Sequence, residues 1–357
     1  MRCRFGLGLV LANLIACSSS SSGLVEVVET PPPDAQIDAE LDAGPIAMAD
    51  AADPDAPPID AAIDAAVVIP PDPHFTITSP GVDVAAGADV TYCYFFHSAN
   101  TEDMAIKRWE SHQADGWQFV LFQTPFELQA DGLVHNTLQT PCGMVNAGPS
   151  NTIWTYSADT AEAELALPVD DGQGQPVAQL IKVGQPMLLQ MHFVNATAQT
   201  QHASVEIIGH AYETGTAFTL AAPFVVLNDK VKLGPAPSAT DSQTVGDTCA
   251  VDPAARFYLV STHTFRQSIH TSVKNDTAVM FDGVNWQNPG AAIADAAPFL
   301  AFSTGKLTYQ CAYKNPNGYS IKLGDNAATD EMCVVYGYYF PAALAKGHFC
   351  QDHTPLY

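Results

Sequence analysis

Asp330-Glu331-Met332-Cys333-Val334-Val335-Tyr336-Gly337-Tyr338-Tyr339-Phe340 changes character at Val334. From there the side chains are β-branched or aromatic, the kind that fill a pleated, half-buried surface. The same composition recurs upstream. Val90-Thr91-Tyr92-Cys93-Tyr94-Phe95-Phe96, Phe119-Val120-Leu121-Phe122 and Met187-Leu188-Leu189-Gln190-Met191-His192-Phe193-Val194 are three such runs. Arg256 to Phe265 is a fourth. Gly, Pro, Asn and Asp punctuate them, and helical periodicity is scarce. Short strands separated by turn residues predict an all-β protein built of sandwiches. Tyr338-Tyr339-Phe340 reads as alternating sandwich core rather than as a carbohydrate platform.

The N-terminus reads differently. Arg2 and Arg4 precede a short apolar stretch, Leu7–Ile15, as in an export signal over residues 1–17. Leu14-Ile15-Ala16-Cys17 resembles a bacterial lipobox, which implies that Cys17 is lipidated and becomes the mature N-terminus. Two or three acyl chains anchor stably where one does not. Ser at position 18 rather than Asp, by resemblance to Gram-negative lipoproteins, implies the outer membrane, facing the periplasm or the cell surface. Residues 24–73 hold 12 of the 38 acidic residues, 10 of the 26 prolines and neither Lys nor Arg. Such a segment cannot offset its ordering entropy by burial, so residues 18–73 are expected to be a disordered Ala/Asp/Pro-rich tether. Residues 74–357 remain for folding, enough for two domains with a break near residue 212. They carry 26 acidic against 12 basic residues, a balance that argues against nucleic acid as a partner. No apolar run after residue 17 is long enough for a transmembrane helix. The expected partners are the membrane, through the lipid, and an unidentified small molecule or surface ligand. A monomer is expected.

Cys93, Cys142, Cys249, Cys311, Cys333 and Cys350 remain beyond the signal. An even number in an exported chain implies disulfides. None forms a Cys-x-x-Cys pair, and spacing alone leaves the connectivity open. Sequence signatures of serine hydrolases, phosphate-binding loops and His-Glu-x-x-His metalloproteases are all missing. Asn195-Ala196-Thr197 spells a glycosylation sequon and nothing more.

Soft-metal donors stand on three of the strand-like stretches: His192, His263 and Met332. Imidazole suits copper and thioether selects Cu(I). In this order, with Leu307-Thr308-Tyr309-Gln310-Cys311 leading to Asp330-Glu331-Met332-Cys333, the folded part resembles the copper type II, ascorbate-dependent monooxygenases, the family of peptidylglycine α-hydroxylating monooxygenase and dopamine β-hydroxylase. Trp286-Gln287-Asn288-Pro289, Thr91-Tyr92-Cys93, Ile153-Trp154 and Gln190-Met191-His192-Phe193 extend the likeness in order. It covers roughly residues 74–357 and is weaker in the first half. It implies two tandem jelly-roll domains, 74–212 and 213–357, with one copper on each across a solvent-filled cleft. It further implies Cys249–Cys350 and Cys311–Cys333, which leaves Cys93–Cys142.

The ligand positions depart from the family pattern. His192 falls on the later His of the first site, but Trp117 and Gln118 stand where its His-His pair belongs. His263 falls on the first His of the second site's His-x-His pair, and Phe265 occupies the second. Ser261 stands where an Arg anchors the peptide carboxylate in the amidating enzyme. His112, expected in a loop, and His270 are the nearest substitutes. A site normally needs its full ligand count and second shell. Three readings follow: a monooxygenase-like module with degenerate copper sites and a binding or structural role; an active copper monooxygenase with remodelled ligands, acting on an unknown small substrate with ascorbate; or an unrelated carbohydrate- or peptide-binding sandwich. On the first, His192 is expected alone on its wall, with His263 and Met332 facing each other and any copper bound weakly at a partial site.

Overall fold

The computed structural model describes residues 72–355, apart from 115, 137–139, 141, 149–150, 236–241 and 345–348. The export signal, Cys17 and nearly all of the tether lie outside the described residues. Residues 68–357 form one compact unit. As the alternating β-branched and aromatic runs require, it is all-β; the described residues include a short helix, Gly143–Ala147, and a 3₁₀ turn, Ala342–Leu344. Among the described residues no helix is long and apolar enough to cross a membrane.

Strand pairing falls into two groups. In the first, one sheet runs His74–Thr78, Glu206–Ala211, Met104–His112, Val177–Ile181, Thr219–Leu220, with Glu162–Ala166 also on Met104–His112. A five-stranded sheet runs Gly132–His135, Asp89–His97, Pro186–Val194, Gln118–Gln123, Ile153–Ala158. In the second group, a six-stranded sheet runs Ala292–Ile293, Arg256–His263, Val334–Phe340, Ala222–Leu227, Phe349–Gln351, Thr354–Pro355. A four-stranded sheet runs Gln243–Ala250, Lys306–Tyr313, Ser268–Asn275, Ala278–Gly283. Each group adds a two-stranded ribbon, and among the described residues no sheet mixes the groups. Thr219–Leu220 pairs in parallel with Val177 and Ala178, so the first group runs to Leu220, past residue 212.

All three disulfides implied by the resemblance are present: Cys93–Cys142, Cys249–Cys350 and Cys311–Cys333. The last two each join the four-stranded sheet to the six-stranded sheet or its lead-in, stapling the sandwich across its core. The Cys249–Cys350 bridge closes a sequence separation of 101 residues. A loop of that length removes about 5 kcal/mol of unfolded-state entropy.

The core is not divided as the sheets are. One apolar cluster stays within the second group, around Phe257, Phe302 and Tyr309. The other takes Trp109, Phe122 and Leu188 from the first group together with Tyr258, Phe265, Met332 and Tyr338 from the second. Trp154 stacks on Tyr336 at 4.8 Å across the junction. Tyr338 and Tyr339 are both buried, in keeping with their reading as core.

Candidate functional site

His192 lies on Pro186–Val194, where it pairs with Thr91 on one side and Gln118 on the other. Its Nε2 is 2.8 Å from Asp89 Oδ1. Asp89 also forms an ion pair with Arg266 from the second strand group. Burial pushes the His192 pKa down to about 4, so the ring is neutral and its Nε2–H donates to Asp89. Trp117 is buried edge-on against Phe193, ring centroids 5.0 Å apart. Gln118 Nε2 donates to the Gln287 carbonyl at 3.1 Å, a contact between the groups.

His263 ends the strand Arg256–His263, opposite Val334. Trp154 and Phe265 meet its ring edge to face, at 5.6 and 5.5 Å. Burial pushes its pKa down to about 4, and the nearby His192 adds to the effect. Phe265 also faces His192, at 6.3 Å. The two histidines therefore share one cavity of about 20 Å³, lined also by Thr91, Gln118, Phe265 and Asp325. His192 does not stand alone as expected: the Phe265 ring, from the second strand group, packs against both imidazoles. The Thr91 Oγ1 and Gln118 Oε1 atoms are buried without hydrogen-bond partners among the described residues. The cavity is about the size of one probe sphere and suits a single water.

Met332 is buried directly before the strand whose Val334 pairs with His263, and it does not line that cavity. Its carbonyl accepts the Tyr313 hydroxyl at 2.9 Å. Among the described residues no three His, Cys, Asp or Glu side chains are grouped to hold a metal ion. The first copper set of the resembled family does not fit here. Gln118 and Trp117, where the resemblance would place two imidazoles, offer none, and the His192 Nε2 is committed to Asp89. In the second set His263 and Met332 remain, with an aromatic ring at the third position.

Two carboxyls that sequence reasoning passed over organise this region. Glu331 is fully buried. Its Oε1 accepts the Phe265 and Met332 backbone N–H groups, and its Oε2 accepts that of Gln267. It thereby fixes the turn that carries the aromatic ring between the histidines. Burial pushes its pKa up to about 8. Asp325 reaches across to the first strand group, accepting the N–H groups of Val145 at 3.1 Å and Asn146 at 2.6 Å. Its own carbonyl accepts Asn136 Nδ2 and Gln190 Nε2. Burial raises its pKa to about 7. The approach is close enough to require glycine at 143, where φ is +86° and a Cβ would stand 2.7 Å from the Asp325 carboxyl. An acid immediately before Met-Cys at a strand entrance was the available signal for Glu331. Asp325, in a loop, had none.

The proposed substitutes lie elsewhere. His112 sits on the strand Met104–His112, not in a loop. Its ring nitrogens are held by Glu162 and by Glu110, the latter at 3.3 Å. His270 Nε2 is 2.6 Å from Asp282 Oδ1 on the neighbouring strand. The Ser261 hydroxyl donates to the Gly290 carbonyl. The Asn195 amide donates to the carbonyls of Val84, Ala85 and Gln199, so the sequon nitrogen is buried and fully used.

No family model matches the chain, and no curated protein matches it. Among solved structures, the chain is similar to PNGase F, a glycosylasparaginase from Flavobacterium meningosepticum, with 10% identity, 75% of this chain and 96% of that chain covered, and a TM-score of 0.31. It is also similar to the Sputnik virophage structure, at 8% identity, 83% and 91% coverage and a TM-score of 0.20. At these scores neither likeness bears on what the chain does.

Proposed function

We propose that the chain is a membrane-tethered, monooxygenase-like module with degenerate copper sites and a binding or structural role. Two tandem jelly-roll domains carry it, and the Cys17 lipid holds it to the outer membrane of a Gram-negative bacterium. One observation supports this reading above the others: His192 and His263 line a single cavity of about 20 Å³. A copper monooxygenase needs room between its centres for dioxygen and substrate, and a cavity that admits one water provides none. The aromatic junction of Trp154, Phe265 and Tyr336 fills the place of a cleft. His263 and Met332 are the donors left for a weak Cu(I) site.

Metal analysis of the full chain after copper reconstitution under ascorbate tests the proposal. The expected content is one equivalent or less, with no ascorbate-dependent oxygen consumption. Two tightly held coppers would return the chain to the active monooxygenases.

A further inference from the structure

A second pocket, of about 280 Å³, opens between the strand groups on the other side of the Trp154–Tyr336 stack. Its walls include Tyr156, Asp159 and Glu164 from the first group and Asn288, Tyr336 and Tyr338 from the second. None of its lining residues is Lys, Arg or His.

The two carboxylates differ. Glu164 is exposed and forms an ion pair with Arg108 at 3.1 Å. Asp159 is half-buried; among the described residues its carboxyl has no ion pair, and the hydrogen bond it accepts is from its own backbone N–H. A carboxylate withdrawn from water without a counter-charge is costly, and burial raises its pKa to about 6. Tyr156 and Tyr336 are each stacked on one face by a tryptophan, Trp109 and Trp154. The Tyr338 hydroxyl is buried in the same wall beside the Trp154 indole. The nearby Trp154 indole N–H is donated to Ser157 Oγ at 3.2 Å.

We propose that this pocket binds a small organic cation, an amine or quaternary ammonium, with Asp159 as counter-charge and the half-buried Tyr336 ring as its aromatic wall. A carboxylate lacking a cation and electron-rich rings are the two features that attract ammonium groups. A neutral sugar also stacks on tyrosine but leaves Asp159 uncompensated. The proposal gives a ligand class to the binding role above and rests on that role, but involves neither His263 nor Met332. Metal content therefore reports on one reading and ligand binding on the other.

The test is calorimetric titration of the full chain with choline, putrescine, 3,3-dimethyl-1-butanol (the neutral isostere of choline) and methyl β-glucoside. Choline or putrescine is expected to bind at least tenfold more tightly than the isostere. Asp159→Asn is expected to abolish that preference, with Glu164→Gln changing it less than threefold. Thermal unfolding of both variants checks that the fold is kept. In the native chain, cation affinity should fall as pH drops below about 6, because Asp159 takes up a proton there; the other titratable groups of the pocket are Glu164, which is paired with Arg108, and Tyr156, Tyr336 and Tyr338, which stay neutral. Failure of both cations to bind, equal binding of choline and its isostere, or glucoside binding untouched by Asp159→Asn would each overturn the proposal.

Discussion

His192 and His263, carried by strands of different sheets, line the same cavity of about 20 Å³, with the Phe265 ring 6.3 Å from one imidazole and 5.5 Å from the other. On the proposed resemblance, Phe265 stands at a ligand position. Its ring closes the space that a ligand would have left open, and the Glu331 carboxyl holds its backbone in place.

Phe265→His is therefore expected to have two opposed effects. Copper binding tightens, because His263 and Met332 gain a third donor. The metal-free fold loses about 1–3 kcal/mol, because a buried ring that packs both histidines is replaced by a smaller polar one. Cu(I) titration and urea unfolding of the same preparation measure the pair. In the native chain any bound copper is expected to disappear in His263→Ala and Met332→Ala and to survive in His192→Ala.

Removing Glu331 should be among the most damaging single changes. Glu331→Ala leaves three buried N–H groups without acceptors, at about 1–3 kcal/mol each. Glu331→Gln keeps one acceptor oxygen and should fall between native and alanine. Equal stability of all three would show that these bonds contribute little.

The pH dependence of stability has two opposing sources. His192 and His263 have pKa values near 4 in the fold, below the ordinary 6.5, so the unfolded chain binds their protons and stability drops on acidification from about 6.5 to about 4. Asp325 and Glu331, raised to about 7 and about 8, keep their protons in the fold, so stability drops as pH rises from about 4 toward 8. Between about pH 4.5 and 6.5 the two pairs nearly cancel, Asp159, raised to about 6, leaves a shallow fall up to that pH, and the fall should steepen above 6.5. Replacing both histidines by Gln should extend the fall down to about 4.5. Chemical unfolding across that range measures it, and an unchanged profile in the double variant would refute the buried-histidine account.

Replacing Cys249 and Cys350 by Ala is expected to cost about 2–5 kcal/mol, since the lost crosslink closes the longest loop of the three. Non-reducing peptide mapping of the native chain should recover Cys93–Cys142, Cys249–Cys350 and Cys311–Cys333 and no other pairing.

At the other end of the chain, mass spectrometry of the N-terminal peptide is expected to find Cys17 first in the mature sequence and carrying diacylglycerol. An unmodified peptide that begins elsewhere would remove the membrane anchor from the proposed function.

The strand composition of the sequence determined that this protein is all-β, because β-branched and aromatic runs broken by turn residues leave helices little to form from. The order of its cysteines and the Asp-Glu-Met-Cys stretch, read through the family resemblance, anticipated all three disulfides. The same stretch drew attention to Met332 and away from Glu331, whose importance lies in which backbone N–H groups come within its reach. His112 looked available because a sequence does not display its neighbours across a sheet; pairing with Glu162–Ala166 put a carboxylate on it. Asp325 and Asp159 were invisible for the same reason. Each owes its raised pKa to the meeting of segments far apart in the chain, and that burial exists only once the two groups of strands have packed together.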